Sequence, residues 1–310
     1  MLLKIDMLEN LDNIRINFDT DNLWAVNITL ALIMFGVALD IKMTDFTNLL
    51  KSPKPVIVGI LSQFLLIPLV TFMLVNFINP APSIALGMII VAACPGGNVS
   101  NFMSKLAGGN VALSISLTAF ASVASLIMTP LNIAIWANMY PPASTILERV
   151  ALDPLEVSKI VLLILGIPLV LGMLVKYYYS KFASKLSKIL KPISILIFLS
   201  FIVGAFYKNL DVFTNHIHHV IFLVILHNAV LFVVGFYFAK LNKLAYNDQK
   251  TLSIETGIQN AGLGLMLVFT FFNGLGGTAL LVAFWAIWDI LSGLFVAFIW
   301  SSKSPKIVSS

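Results

Sequence analysis

The sequence predicts an all-α membrane protein with nine transmembrane helices, and three observations carry that prediction. Hydrophobic residues fill 59% of the 310 positions and charged residues 11%. The mean hydropathy of +0.97 is far above what a soluble core requires. The apolar runs are continuous over about 20 residues or more, whereas the strands of a membrane barrel alternate apolar with polar over about ten.

Nine apolar segments stand at approximately 24–41, 55–78, 83–107, 110–138, 157–178, 189–207, 219–240, 250–272 and 277–301. Residues 1–22 form a polar N-terminal segment, 23–302 the membrane domain and 303–310 a short C-terminal tail. The first 22 residues carry charges throughout and lack the compact apolar block of a cleaved signal, so the first span is expected to stay as an anchor. An odd number of spans puts the termini on opposite sides. With the N-terminus outside, fourteen of the nineteen Lys and Arg residues fall inside, leaving Lys4, Arg15, Arg149, Lys159 and Lys208 outside. The basic loop YYYSKFASKLSKILK then lies inside, as the positive-inside bias requires. The expected location is the plasma membrane, with a cytoplasmic C-terminus and the lipid bilayer as solvent.

Several functions are disfavoured at this stage. The net charge of +5 sits mostly between spans, where it reads as a topology signal rather than a nucleic-acid surface. A single cysteine, Cys94, allows no internal disulfide and no cysteine metal cluster. His216, His218 and His219 in NHIHH fall in an expected outer loop near a helix start, and read as solvated rather than as metal ligands. His227, beside Asn228 in ILHNAV, is the one histidine within a span, and no catalytic constellation surrounds it or Cys94, so no enzyme is expected.

Two spans are interrupted. In CPGGNVSN, Pro95 removes a backbone donor while Gly96 and Gly97 permit unwinding. In SIETGIQNAG, Glu255 is followed by Thr256, Gly257, Gln259 and Asn260 where a lipid-facing helix would carry Leu and Val. A charge near the bilayer centre costs about 2.5–3.5 kcal/mol on insertion scales, so Glu255, and Asp289 in AIWDILSG, need a partner or a task. The interruptions occupy the third and eighth spans. Spans 2–4 and 7–9 run in opposite directions, as in an inverted repeat, whose paired broken helices mark a transporter's binding site. A proline kink with close glycine packing is the structural alternative for either interruption alone.

Oxygen-rich residues near the breaks suit a hard monovalent cation, sodium being the natural candidate. Ser100 and Asn101 follow the first break; Ser114 and Thr118 are four apart and share one helix face; Glu255 can join from the second break. Taken alone, Gln63 in an apolar span is better explained by a bond to a neighbouring helix, and the two hydroxyls can bond back to their own helix.

CPGGNVSN, GNVALSISLT and QKTLSIETGIQNAGL together resemble the bile acid:sodium symporter family, and the resemblance runs from IMFGVALDIKMTDF to the final span. It implies two sodium sites. The first maps onto Ser100, Asn101, Ser114, Thr118 and Glu255. The second maps onto Gln63, Glu255, Gln259 and the carbonyls of Thr256 and Ile258. It further implies a core domain with two crossing discontinuous helices, here about 55–138 and 219–301, and a panel domain, about 23–41 and 157–207. An organic anion, bile-acid-like or a small carboxylate such as pantoate, is expected between them, against Asn98, Asn260, Thr256 and Asp289. The chain is expected to work as a monomer by alternating access, as a sodium symporter or, alternatively, with protons carried by Glu255 or Asp289. Nine spans match the vertebrate pattern rather than the ten of some bacterial relatives. Asp289 departs from the family, where an uncharged polar residue or histidine is found, which leaves its role open.

Overall fold

Every regular element is helical in the computed structural model, which describes residues 12, 16, 23–150 and 159–301. The remaining parts of the N-terminal segment and the C-terminal tail lie outside the described residues. The chain enters through α1 (Leu23–Ala38), turns, and continues as α2 (Met43–Lys51). The two are bent by 59°, and the N–H of Lys42 donates to Asp45 Oδ2 at 2.7 Å to close the start of α2. Next comes α3 (Pro53–Ile78), which contains a π turn at Ser62–Leu66. Pro68 follows directly and has no N–H to give to the ladder, a local cause for the widened turn.

The first interruption separates α4 (Pro82–Ala93) from α5 (Asn98–Leu106). Next are α6 (Val111–Met139) and α7 (Pro141–Val150). A helix at α7 is absent from the nine expected segments. Its apolar residues Ala143, Ile146 and Leu147 recur at helical spacing and are buried, while Pro141 opens it at the position where a missing N–H costs nothing. The later elements are α8 (Lys159–Tyr178), α9 (Ser180–Lys208), α10 (Leu210–Leu241), α11 (Tyr246–Gly257), α12 (Ala261–Phe271) and α13 (Gly276–Ser301).

Two loop expectations are corrected. The basic stretch expected as an inner loop is helical from Ser180: Lys, Leu and Ala favour helix, and Ala183 and Ser187 give it a buried face. NHIHH lies inside α10 rather than in a loop, because that helix starts as early as Leu210, with Asp211 in its first turn where a negative charge is favoured.

Among the described residues, six helices or broken helices are long and apolar enough to cross a bilayer, and the bent pair α1 and α2, taken as one span, makes a seventh. The protein is a multi-pass membrane protein. Around α1 pack α8 and α9, while α10 packs on α11 and α13, and α4 on α6 and α13.

The two interruptions meet. The N–H of Asn260, beyond α11, donates to the carbonyl of Cys94, just after α4, at 3.0 Å. Thr129 Oγ1 on α6 donates to the Ala93 carbonyl at 2.7 Å. Carbonyls released by Pro95 and its glycines are therefore taken up within the protein, as a bilayer interior demands. Contact is close enough that a Cβ on Gly96 would stand 2.5 Å from the Ile258 carbonyl oxygen. Gly96→Ala is therefore expected to cost about 1–3 kcal/mol, read as a lower midpoint of thermal unfolding in detergent; an unchanged midpoint would mean that the breaks do not press on each other.

Candidate functional site

Glu255 ends up 1% exposed on the last turn of α11, facing α3 and α6. Among the described residues, the donors that reach its carboxylate are neutral. Ser114 Oγ donates to Oε1 at 2.5 Å, Gln63 Nε2 to Oε2 at 3.1 Å, and Thr118 Oγ1 lies 3.5 Å from Oε2. The helix geometry explains the pairing, since Ser114 and Thr118 project from one face of α6. Gln63 comes from the π turn of α3, where Ser62 also donates to or accepts from Thr256 Oγ1 at 2.7 Å.

A first oxygen cluster forms on the α5 side. Asn101 Oδ1 lies 2.7 Å from Ser114 Oγ and 3.1 Å from Thr118 Oγ1. The two hydroxyls thus make four contacts with the oxygens of Asn101 and Glu255, yet supply two hydrogens. Acceptor oxygens consequently face one another, the arrangement a cation resolves. Ser100 is fully buried beside them; its hydroxyl donates to the Gly97 carbonyl at 2.6 Å and also has Glu255 as a polar neighbour.

The residues expected at a second site lie on α3 and around the end of α11. Gln259 Nε2 donates to the Thr256 carbonyl at 2.8 Å, while its Oε1 is buried without a partner. Gln63 Oε1 is likewise buried without a partner. A buried acceptor left unmade costs about 1–3 kcal/mol, so two of them near one carboxylate indicate a donor or cation that the protein itself does not provide. The donor set of amide, hydroxyl, carbonyl and one carboxylate oxygens fits a monovalent hard cation. Among the described residues no group of three or more His, Cys, Asp or Glu side chains gathers to hold a transition metal.

The residues expected to meet a substrate are placed less uniformly. Asn260 caps α12, its Oδ1 accepting from the Leu263 N–H at 3.0 Å, and its Nδ2 lies 4.0 Å from where a Cβ on Gly97 would stand. Asn98 opens α5, and its side chain lies outside the described residues. Thr256 is buried against Ser62 and Gly235. Asp289 is buried on α13, accepting from the Gln259 N–H and from Asn228. Asn228 is missing from the sequence-derived site. Its one sequence signal is an amide in an otherwise apolar span.

Comparison with known proteins gives a consistent picture. The family described as the sodium bile acid symporter family matches residues 27–216. The chain is similar to the uncharacterized sodium-dependent transporter YocS of Bacillus subtilis (strain 168), 34% identical over 281 residues, 91% of this chain and 84% of that protein. It is similar to the probable chloroplastic sodium/metabolite cotransporter BASS1 of Arabidopsis thaliana, 29% identical over 293 residues, 94% of this chain and 69% of that protein. It is also similar to the ileal sodium/bile acid cotransporter of Mus musculus, 27% identical over 262 residues, 79% of this chain and 72% of that protein.

If the orphaned amide oxygen of Gln259 awaits a cation, Gln259→Leu should cost only about 1 kcal/mol in choline medium, the value of one neutral hydrogen bond. The rise in thermal midpoint that sodium gives the unaltered protein should then be smaller in the variant; an equal rise would show that Gln259 takes no part in ion binding.

Proposed function

The chain belongs to the sodium bile acid symporter family, and from that premise we propose a sodium-coupled symporter that takes up an organic anion by alternating access. Its relatives are named as transporters and cotransporters, and the chain is a sodium-dependent membrane transporter, not an enzyme. The observation that carries the finer reading is the oxygen cluster that Asn101, Ser114 and Thr118 form at Glu255, with Gln63 on the same carboxylate. The first proposed site comprises Ser100, Asn101, Ser114, Thr118 and Glu255; the second comprises Gln63, Glu255, Gln259 and the Thr256 and Ile258 carbonyls.

In this reading two sodium ions enter from outside, one per cluster. Each offsets part of the carboxylate's charge, and together they fix both breaks. The α5 and α12 helices begin at the breaks, so their N-termini bring partial positive charge to one place. Asn98 and Asn260, at the start of those helices, are the proposed contacts for the anionic headgroup, and an apolar crevice takes its hydrocarbon body. Supporting the two-domain architecture, α8 and α9 both pack on α1 as a panel would, beside a core of α3–α6 and α10–α13 that α1 meets at α12. The pair α4 and α5, and α9, supply the two further spans that make nine. The basic residues favour an outer N-terminus and a cytoplasmic C-terminus in the plasma membrane. When cations outnumber the substrate's charge, a potential of 100 mV adds about 2.3 kcal/mol per net charge moved. One protomer contains the whole proposed site.

The test is uptake of carboxylates and sterol conjugates into proteoliposomes. A sodium gradient should drive concentrative uptake, choline in its place should abolish it, and Ser114→Ala should weaken its sodium dependence. Uptake that persists in choline and follows a pH step at fixed sodium would instead support proton coupling through Glu255 or Asp289.

A further inference from the structure

We propose that Asp289 and Asn228 are positioning residues for the second sodium site, holding the peptides of the α11–α12 break in their ion-binding shape. The proposal rests on the sodium reading above. Asp289 is 4% exposed on α13; its Oδ2 accepts from the Gln259 backbone N–H at 2.9 Å and its Oδ1 from Asn228 Nδ2 at 3.2 Å. Asn228 is 1% exposed on α10, and the same nitrogen donates to the Gly257 carbonyl at 2.9 Å.

Two flanking helices thus grip both sides of one residue. Asn228 fixes the carbonyl before Ile258, and Asp289 fixes the amide after it. Ile258 between them is extended, with φ −93° and ψ 119°, and its carbonyl oxygen is turned toward Gly96. Neither grip uses the Gln259 side chain, whose Oε1 stays unpartnered, or the ion-facing oxygens of Glu255. The clamp therefore shapes the site without occupying it.

The chemistry of the clamp accounts for a carboxylate at this position. The Gln259 backbone N–H takes one of its two oxygens and the amide of Asn228 the other, and the Trp285 side chain is a further polar neighbour. An asparagine at 289 would keep the shape but offer a single acceptor oxygen, leaving one donor without its partner.

Asp289→Asn and, as a second variant that removes the other half of the clamp, Asn228→Ala are compared with the unaltered protein in proteoliposomes. Sodium is titrated at saturating substrate, and substrate at saturating sodium. Leaving one buried donor without an acceptor predicts a rise of about fivefold or more in the sodium half-saturation of Asp289→Asn. The substrate KM should stay within about twofold, because substrate binding is not what the clamp shapes. A changed substrate KM with unchanged sodium dependence overturns the assignment in favour of substrate contact. A lower thermal midpoint with both constants unchanged overturns it in favour of a purely structural role. Sodium-independent uptake by the unaltered protein overturns the sodium reading and this assignment with it.

Discussion

A carboxylate buried in the membrane bundle and approached only by neutral donors among the described residues is the constraint around which the protein is arranged. Removing such a group from water is costly, and hydroxyl and amide donors offset only part of that cost. Glu255 nevertheless sits where α3, α6 and α11 converge, with partners 192 and 141 residues away in sequence. Two departures from regular helix bring it there. The π turn of α3 carries Gln63, and the end of α11 at Gly257 leaves the following peptides free to be held from outside.

The interruptions themselves follow from the same requirement. A helix that runs unbroken through the bilayer keeps its carbonyls for its own amides; one that breaks must find every freed group a partner. Here the second break supplies one partner to the first, and neighbouring helices supply others. Asn260 gives its amide to Cys94, Thr129 caps Ala93, and Asn228 caps Gly257. Binding anything between them alters both at once. If two ions share the carboxylate as proposed, each changes the field felt by the other, which is a physical route to coupling.

Much of this was legible in the sequence, and the reasons differ by element. Pro95 with Gly96 and Gly97 announces a break, because no regular helix tolerates that triplet at its centre. Ser114 and Thr118 declare a shared face by spacing alone. The π turn did not announce itself beyond Pro68, so Gln63 looked like an isolated amide until its long-range partner was seen. Asn228 was read beside His227 as part of a non-catalytic pair; its function depends on residues 29 and 61 positions away, which no local pattern encodes. Asp289 stood out as a buried charge, but its partners include a backbone amide in a broken segment, and such partners become visible only when the break is built. The helical NHIHH segment shows the reverse error, polar composition read as loop where the chain simply extends a long helix.

The family spans carriers named for bile acids and for unspecified metabolites, and what those names share is sodium rather than the cargo. That places the weight of the account on whether Glu255 is a sodium carboxylate. Equilibrium binding of radioactive sodium to the purified protein measures this without any knowledge of the substrate. The account predicts two ions per chain, bound cooperatively, and a loss of both in Glu255→Gln; sodium binding undiminished in that variant would contradict it.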